Sequence, residues 1–408
     1  TPNIDRLSLG GVLFRDAATN ASYTKASVAS LLTSTFPWVH GVLTQLDILS
    51  DSLLTLPELL KESGYRTATI IQNSQASPVF GYGQGFDTVV EWYAPDFDAL
   101  HKSSSDGNPG FWTDLCKPTL EGMKDQPFFA YIHLIDPHTP YTPPKEFAQM
   151  YAPNYQGRIG MGKDIMDMVQ SGLMRFSPED LAYFSSMYKA EVTSVDRFVG
   201  WLSDWLQENN LTHNTLVVFL SDHGEAFMEH GDIEHGRSLY QELVHVPLVF
   251  SLPGVLPEGT DSGYPAQLLD VAPTVLDFVG ISAPEQMQGK SLLPMILGSH
   301  ESDKGRARLG AVRNLIHFVR KGDMKLVRKL STPESAQVKW YEYELFDLSV
   351  DPGEKINLWP SKPIEGRILQ QLLTKSLSSE ATVSGTKIEP EKLDPAVLQN
   401  LKDLGYLR

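Results

Sequence analysis

Leu216-Val217-Val218-Phe219-Leu220-Ser221-Asp222-His223-Gly224-Glu225 passes from an apolar run directly into a carboxylate, an imidazole, a glycine and a second carboxylate. A nearly continuous apolar run of this length is the pattern of a strand buried on both faces of a parallel sheet. Ligands of open α/β sheets gather beyond the carboxyl ends of the strands, so Asp222 and His223 are predicted to emerge where a site forms. Carboxylate oxygen beside imidazole nitrogen suits a hard or borderline divalent cation. A turn with a solvated histidine is the plainer alternative. Against it, Glu229-His230-Gly231 and Glu234-His235-Gly236 follow closely, a density of His and Gly unusual for an ordinary loop.

Working outward, helix and strand signals alternate. Leu54 to Ser63 reads as a helix stopped by Gly64, and Arg66-Thr67-Ala68-Thr69-Ile70-Ile71 follows as a strand. Phe128 to Ile135 is a further apolar run, as is Val246-Pro247-Leu248-Val249-Phe250. Ser177 is placed as the N-cap of an amphipathic helix reaching about Asn210, with Pro178 in its first turn and Glu179 and Asp180 adding negative charge there. From about Leu309 the texture changes to alternating segments with turns, which predicts a small antiparallel sheet. The polar stretch His300–Arg308 reads as a linker and Leu393–Tyr406 as a closing helix. The division expected is a catalytic α/β domain over 1–300 and a small C-terminal α+β subdomain over 301–408.

Bulk properties narrow the class. A chain of 408 residues allows one large core with a smaller appended piece, and 41% hydrophobic with 21% charged residues is ordinary globular usage. The formal net charge of −16 argues against nucleic acid or an anionic membrane as partner. An anionic substrate then needs local positive charge, most simply a metal. Cys116 is the single cysteine, which excludes an internal disulfide and a cysteine-rich zinc site. No apolar run approaches the ~20 residues of a membrane helix, so no span is expected in this segment. Thr1-Pro2-Asn3-Ile4-Asp5 has neither the basic nor the apolar region of a signal peptide.

Two further clusters carry chemistry. His133-Leu134-Ile135-Asp136-Pro137-His138-Thr139-Pro140-Tyr141 ends an apolar run with two histidines in a Pro-rich loop. An imidazole titrates near neutral pH and can protonate a leaving alkoxide, so a proton donor and a substrate contact are readable here beside a purely structural role. In Ser22-Tyr23-Thr24-Lys25-Ala26-Ser27-Val28-Ala29-Ser30-Leu31-Leu32-Thr33 the apolar positions follow helical spacing from near Thr24. The free N–H groups of that helix start would face an incoming phosphate or sulfate, although by position alone Thr24 is equally an N-cap. His40 and His245 read as structural.

These segments together resemble the sulfatase family of the alkaline-phosphatase-like superfamily, nearly throughout the chain. Thr1-Pro2-Asn3-Ile4-Asp5-Arg6-Leu7, Ser30-Leu31-Leu32-Thr33 with His40-Gly41-Val42, Gly64-Tyr65-Arg66-Thr67, His138-Thr139-Pro140-Tyr141 and Ser221-Asp222-His223-Gly224-Glu225 carry it. Asp270-Val271-Ala272-Pro273-Thr274 and Leu345-Phe346-Asp347-Leu348 with Asp351-Pro352-Gly353-Glu354 match the later landmarks. The resemblance implies a large mixed, mostly parallel sheet sandwiched by helices, with a small antiparallel subdomain. It places Thr24 where sulfatases carry the Cys or Ser matured to formylglycine, with Ala26 for the motif's Pro and Val28 for its Arg. Gln72 and Ser74 stand for the family's Lys and His. No formylglycine is expected; the pattern is similar instead to the threonine-nucleophile branch of phosphodiesterases and phosphoglycerol or phosphoethanolamine transferases.

The resemblance therefore implies a hydrolase or transferase acting on phosphate, phosphodiester or sulfate esters, with one divalent ion (calcium, manganese, magnesium or zinc) bound by Asp222, His223 and Thr24. Thr24 is the expected nucleophile, His138 or His235 the expected proton donor, and Ser27, Asn73 and His133 the expected substrate contacts. The substrate class is a small anionic ester, glycan-linked or lipid-linked. A conventional sulfuric ester hydrolase and an inactive sulfatase-like binding protein are the alternatives. Family members bring one or two further metal-binding acids from a strand just before the Thr-Pro-Asn segment, so the expectation is that this strand lies upstream of Thr1. Relatives often work in the periplasm or outside the cell, which the resemblance favours here.

Overall fold

The computed structural model describes residues 1–92, 111–155, 165, 168–169, 171–298, 305–333, 338–378, 382–383 and 386–407. Four helices open the chain: α1 (Pro2–Leu9), α2 (Thr24–Thr33), α3 (Pro37–His40) and α4 (Leu56–Glu62). The strands of the larger part are β1 (Gly11–Phe14), β2 (Arg66–Ile71), β3 (Thr88–Glu91), β4 (Phe128–His133), β5 (Val217–Leu220), β6 (Ala226–Phe227), β7 (Ile233–Glu234), β8 (Leu248–Ser251) and β9 (Thr260–Ser262).

Two groups of strands form the mixed sheet architecture. One has the order β3-β2-β4, all parallel, and the other β5-β8-β1-β9, in which β8 runs antiparallel to β5 and β1 while β9 is parallel to β1. β6 and β7 make a separate two-residue hairpin next to the site. The β-branched run Thr67, Thr69, Ile70 and Ile71 suits the pleated, buried β2, and α4 ahead of it is closed by Thr55, whose side chain and N–H both meet the Glu58 carboxylate. The long helix Pro178–Glu208 starts as expected at Ser177, which exchanges hydrogen bonds with Asp180 (Asp180 N–H to Ser177 Oγ 3.2 Å, Ser177 N–H to Asp180 Oδ2 3.0 Å). Such a reciprocal cap is worth ~1 kcal/mol.

One strand expectation needs correcting. β5 was expected to be buried on both faces among parallel neighbours, but it pairs antiparallel with β8 and all its residues are half-buried. The reason is that its other edge lines a cavity of about 1070 Å³, walled on the opposite side by β4, whose residues are likewise half-buried. The carboxyl ends of β4 and β5 meet at this cavity, beside the start of α2.

The C-terminal sheet consists of β10 (Ala307–Val312), β11 (Ile316–Lys321), β12 (Met324–Leu330) and β13 (Tyr341–Asp347), antiparallel and in sequence order. Leu309, Val319, Leu326 and Leu345 pack on Trp38 and Val39 of α3 and on Leu369 and Leu373 of the helix Pro363–Ser378. The linker expected at His300–Arg308 falls partly outside the described residues, and its end is already strand, since β10 begins at Ala307. The closing helix is shorter than expected, Pro395–Asp403, because Gly405 turns the chain at φ +83°. Among the described residues no helix is long and apolar enough to cross a membrane.

Candidate active site

α2 is buried along its whole length, and the extended Tyr23 before it offers no side-chain cap. Its first-turn N–H groups therefore have no intrahelical acceptor and no side-chain substitute, the condition under which a helix start receives an anion. Thr24 sits at this start, 2% exposed. Its Oγ1 lies 3.2 Å from His223 Nε2. His223 Nδ1 is 2.8 Å from the Gly224 carbonyl and donates to it, so in the neutral ring Nε2 keeps its lone pair and accepts the Thr24 hydroxyl proton. Asn73 Nδ2 donates to Thr24 Oγ1 from 3.4 Å, and its amide is oriented because Oδ1 accepts the Gln75 N–H at 2.9 Å.

The turn after β5 needs Gly224: a Cβ there would stand 2.0 Å from the Glu242 carbonyl oxygen. That close approach lets the chain swing Asp222 and His223 toward α2. Asp222 Oδ1 accepts the His223 N–H at 3.0 Å, whereas Oδ2 is buried with no hydrogen-bond partner among the described residues and lies 3.6 Å from His223 Nε2. Burial pushes the Asp222 carboxyl up, but His223, His133 and Thr24 outweigh it and hold the group below the usual carboxylate range. An unpaired buried carboxylate oxygen beside an imidazole nitrogen and a hydroxyl is a donor set that fits a divalent cation. Among the described residues no three His, Cys, Asp or Glu side chains stand close enough to hold an ion by themselves, so Thr24 and non-protein ligands would complete the shell.

The remaining expected residues fall on either side of this centre. His138 and His235 join it: the rings of His223 and His235 are 4.2 Å apart and those of His138 and His235 5.1 Å apart. Burial, and then the neighbouring His235, push His138 down to about 4, and burial likewise holds His235 well below the ordinary imidazole value. His133 stands at the end of β4, bonded through Nδ1 to the Tyr131 hydroxyl at 2.8 Å, with burial lowering its pKa. Ser27 is fully buried and donates to the Asp222 main-chain carbonyl at 2.6 Å, which fastens β5 to α2. His40 and His245 bond to Ser30 and to the Arg15 carbonyl, consistent with structural roles.

Two residues of the site escape a sequence reading. Glu225 is 7% exposed, lies 3.1 Å from His235 Nδ1 and accepts the Tyr141 hydroxyl at 3.1 Å; burial raises its pKa to about 7. It belongs to the Ser221–Glu225 stretch, but its side-chain direction does not follow from that. Tyr406, beyond the C-terminal helix, places its hydroxyl 2.9 Å from His138 Nε2. A glycine directly after a helix, followed by an aromatic, was its only local trace.

Comparison with known proteins identifies the family. The sulfatase family model matches residues 1–281, and the model for the C-terminal part of N-sulphoglucosamine sulphohydrolase matches residues 228–382. N-acetylglucosamine-6-O-sulfatase of Bacteroides thetaiotaomicron is 24% identical over 437 residues, covering 88% of this chain and 78% of the relative. A multifunctional alkaline phosphatase superfamily protein of Trinickia caryophylli is also 24% identical, over 93% of this chain and 89% of its own. In structure, phosphonate monoester hydrolase from Silicibacter pomeroyi superposes with a TM-score of 0.75 at 20% identity, over 93% of this chain and 90% of that one. With the family model spanning most of the chain and the fold shared with such hydrolases, the chain belongs to the sulfatase family.

Proposed function

We propose that the protein is a metal-dependent hydrolase or transferase that cleaves phosphate, phosphodiester or sulfate esters through Thr24. The observation that carries this reading is the Thr24 hydroxyl at the start of α2, 3.2 Å from His223 Nε2, whose lone pair faces it and can be taken up by an ion shared with the hydroxyl oxygen. Threonine at this position argues for unmodified hydroxyl chemistry rather than formylglycine, and Val28 removes the cation that a sulfatase motif would supply. The relative named for an N-acetylglucosamine 6-O-sulfate and the phosphonate monoester hydrolase neighbour support a small anionic ester as substrate, glycan-linked in the first case.

A divalent ion held by Asp222, His223 and Thr24 would supply positive charge that favours the alkoxide over the hydroxyl. The chain's own residues do the rest. The α2 start receives the anionic oxygens and Asn73 orients Thr24 Oγ1, which, its proton released to solvent, attacks phosphorus or sulfur as the bond to the leaving oxygen breaks. Water, or an acceptor hydroxyl in a transferase, then attacks the Thr24 ester and restores the threonine. The proton taken by the leaving oxygen comes from His235, which Glu225, raised by burial to about 7 and 3.1 Å from His235 Nδ1, can resupply. His138, with Nδ1 on the Thr139 carbonyl and Nε2 on the Tyr406 hydroxyl, positions and does not donate. General acid catalysis of this kind contributes ~10²–10⁴-fold.

The test is turnover of p-nitrophenyl phosphate, bis-p-nitrophenyl phosphate, a p-nitrophenyl phosphonate and p-nitrophenyl sulfate with each of the four ions, for the full chain and for Thr24→Ala. Turnover on a phosphorus ester that Thr24→Ala abolishes, with the unfolding midpoint unchanged, is the expected result. Full activity in the variant refutes the nucleophile. Sulfate turnover alone favours the sulfuric ester reading, and no turnover on any arm favours a binding protein.

A further inference from the structure

The segment after the helix Pro395–Asp403 reaches the site by a route that can be followed bond by bond. Val397 and Leu401 join the apolar cluster that holds Val28 and Leu32 of α2 and Ala76 of the turn after Asn73. The buried Asn400 Oδ1 accepts the Ser74 N–H at 3.3 Å, which ties the helix to the loop carrying Asn73. Gly405 then turns the chain at φ +83°, a conformation that favours glycine, and the Tyr406 N–H returns to the Leu401 carbonyl at 2.8 Å. This leaves the half-buried Tyr406 ring against His138, with centroids 5.8 Å apart.

The hydroxyl connects two sides of Thr24. His138 Nδ1 lies 2.5 Å from the Thr139 carbonyl and donates to it, so Nε2 of the neutral ring accepts from the Tyr406 O–H at 2.9 Å. The Tyr406 oxygen in turn accepts from Asn73 Nδ2 at 3.4 Å, the same amide group that donates to Thr24 Oγ1. His138 is thereby held at both ring nitrogens, and Asn73 is held between the nucleophile and the tyrosine. We propose that Tyr406 is a positioning residue of the Thr24 site, one that sets His138 and Asn73 around the nucleophile from the C-terminal segment. The inference rests on the proposed role of Thr24, through which its effect on turnover is read.

The test compares Tyr406→Phe, which keeps the ring and its packing, with Leu398→Ala, which thins the packing of the same helix on its apolar cluster and leaves the hydroxyl in place. On the ester turned over fastest, Tyr406→Phe is expected to lower kcat about tenfold, the size of one lost hydrogen bond, while KM stays within about twofold. Leu398→Ala should lower the unfolding midpoint and leave kcat within about twofold. An unchanged kcat in Tyr406→Phe, or equal losses of kcat in the two variants, overturns the inference. A second readout needs no turnover: long-range ¹H–¹⁵N spectra of the histidine rings should show the His138 Nε2 signal moving in Tyr406→Phe while those of His230 and His245 stay. If Thr24→Ala proves the nucleophile wrong, this spectrum still decides whether Tyr406 holds His138, and an unmoved His138 signal overturns that.

Discussion

Asp270, at the seam between the larger part and the C-terminal sheet, is fully buried and fully paired. It takes two bonds of 2.6 Å from Arg306 and accepts the Gln267 and Lys290 N–H groups at 2.8 and 2.9 Å. Asp222, just past the carboxyl end of β5, keeps Oδ2 buried and without a hydrogen-bond partner among the described residues. The same side chain thus does two kinds of work. Where every lone pair is matched, the carboxylate fastens one part of the chain to another. Where one is left unmatched, the fold carries a desolvation cost that a ligand can repay.

Three measurements test whether the two carboxylates differ in this way. The largest effect is expected at the seam: Asp270→Ala leaves Arg306 buried and uncompensated, and urea unfolding should show a loss of ~3–5 kcal/mol. A loss below about 1 kcal/mol would mean that the seam carries little of the stability. Next, Asp222→Asn should lower the unfolding midpoint of the ion-free protein at pH 7 far less than Asp270→Ala does, since burial offsets much of what His223, His133 and Thr24 contribute to the charged form. It should also remove the stabilisation that added divalent ion confers on the native protein, ~2.7 kcal/mol at a hundredfold excess over Kd. If it destabilises the ion-free protein as Asp270→Ala does, the two carboxylates are alike.

The smallest effect concerns a surface pair. Lys61 is the first cause holding Asp87 down to about 2, followed by the Thr67 N–H. A carboxyl whose folded pKa is depressed contributes stability above its unfolded value near 3.8, lost as the pH falls through about 2. Lys61 is half exposed, so Asp87→Asn should cost about 1 kcal/mol or less at pH 7, with the difference from the native protein vanishing by about pH 2.

Much of the fold was readable because its causes are local. α4, β2, the long helix with its Ser177 cap, β4, β5, β8 and the C-terminal hairpins all follow from periodicity and capping within a few residues. The helix Pro363–Ser378 escaped that reading. Its Gly366 weakens the helical signal, yet the fold needs it, since a Cβ there would meet the Trp359 ring at 2.6 Å. Of the candidate site residues, Asp222 and His223 were singled out by their place after an apolar strand, and Thr24 by the family resemblance; the structure brings Thr24 within 3.2 Å of His223. Ser27, expected among the substrate contacts, spends its hydroxyl on the Asp222 carbonyl.

What the sequence determined by itself was the fold class, since that follows from residue type and short-range order; a site at the strand ends remained an expectation, and the threonine in place of a cysteine or serine is what the resemblance implied. Which lone pairs are spent and which stay open was decided only by the tertiary structure. Thr24 meets His223 across 199 positions and His138 meets Tyr406 across 268, and hydrogen bonds of that range are set by the packing of α2 against β5 and of the C-terminal helix against α2. No pattern within a single element encodes that packing.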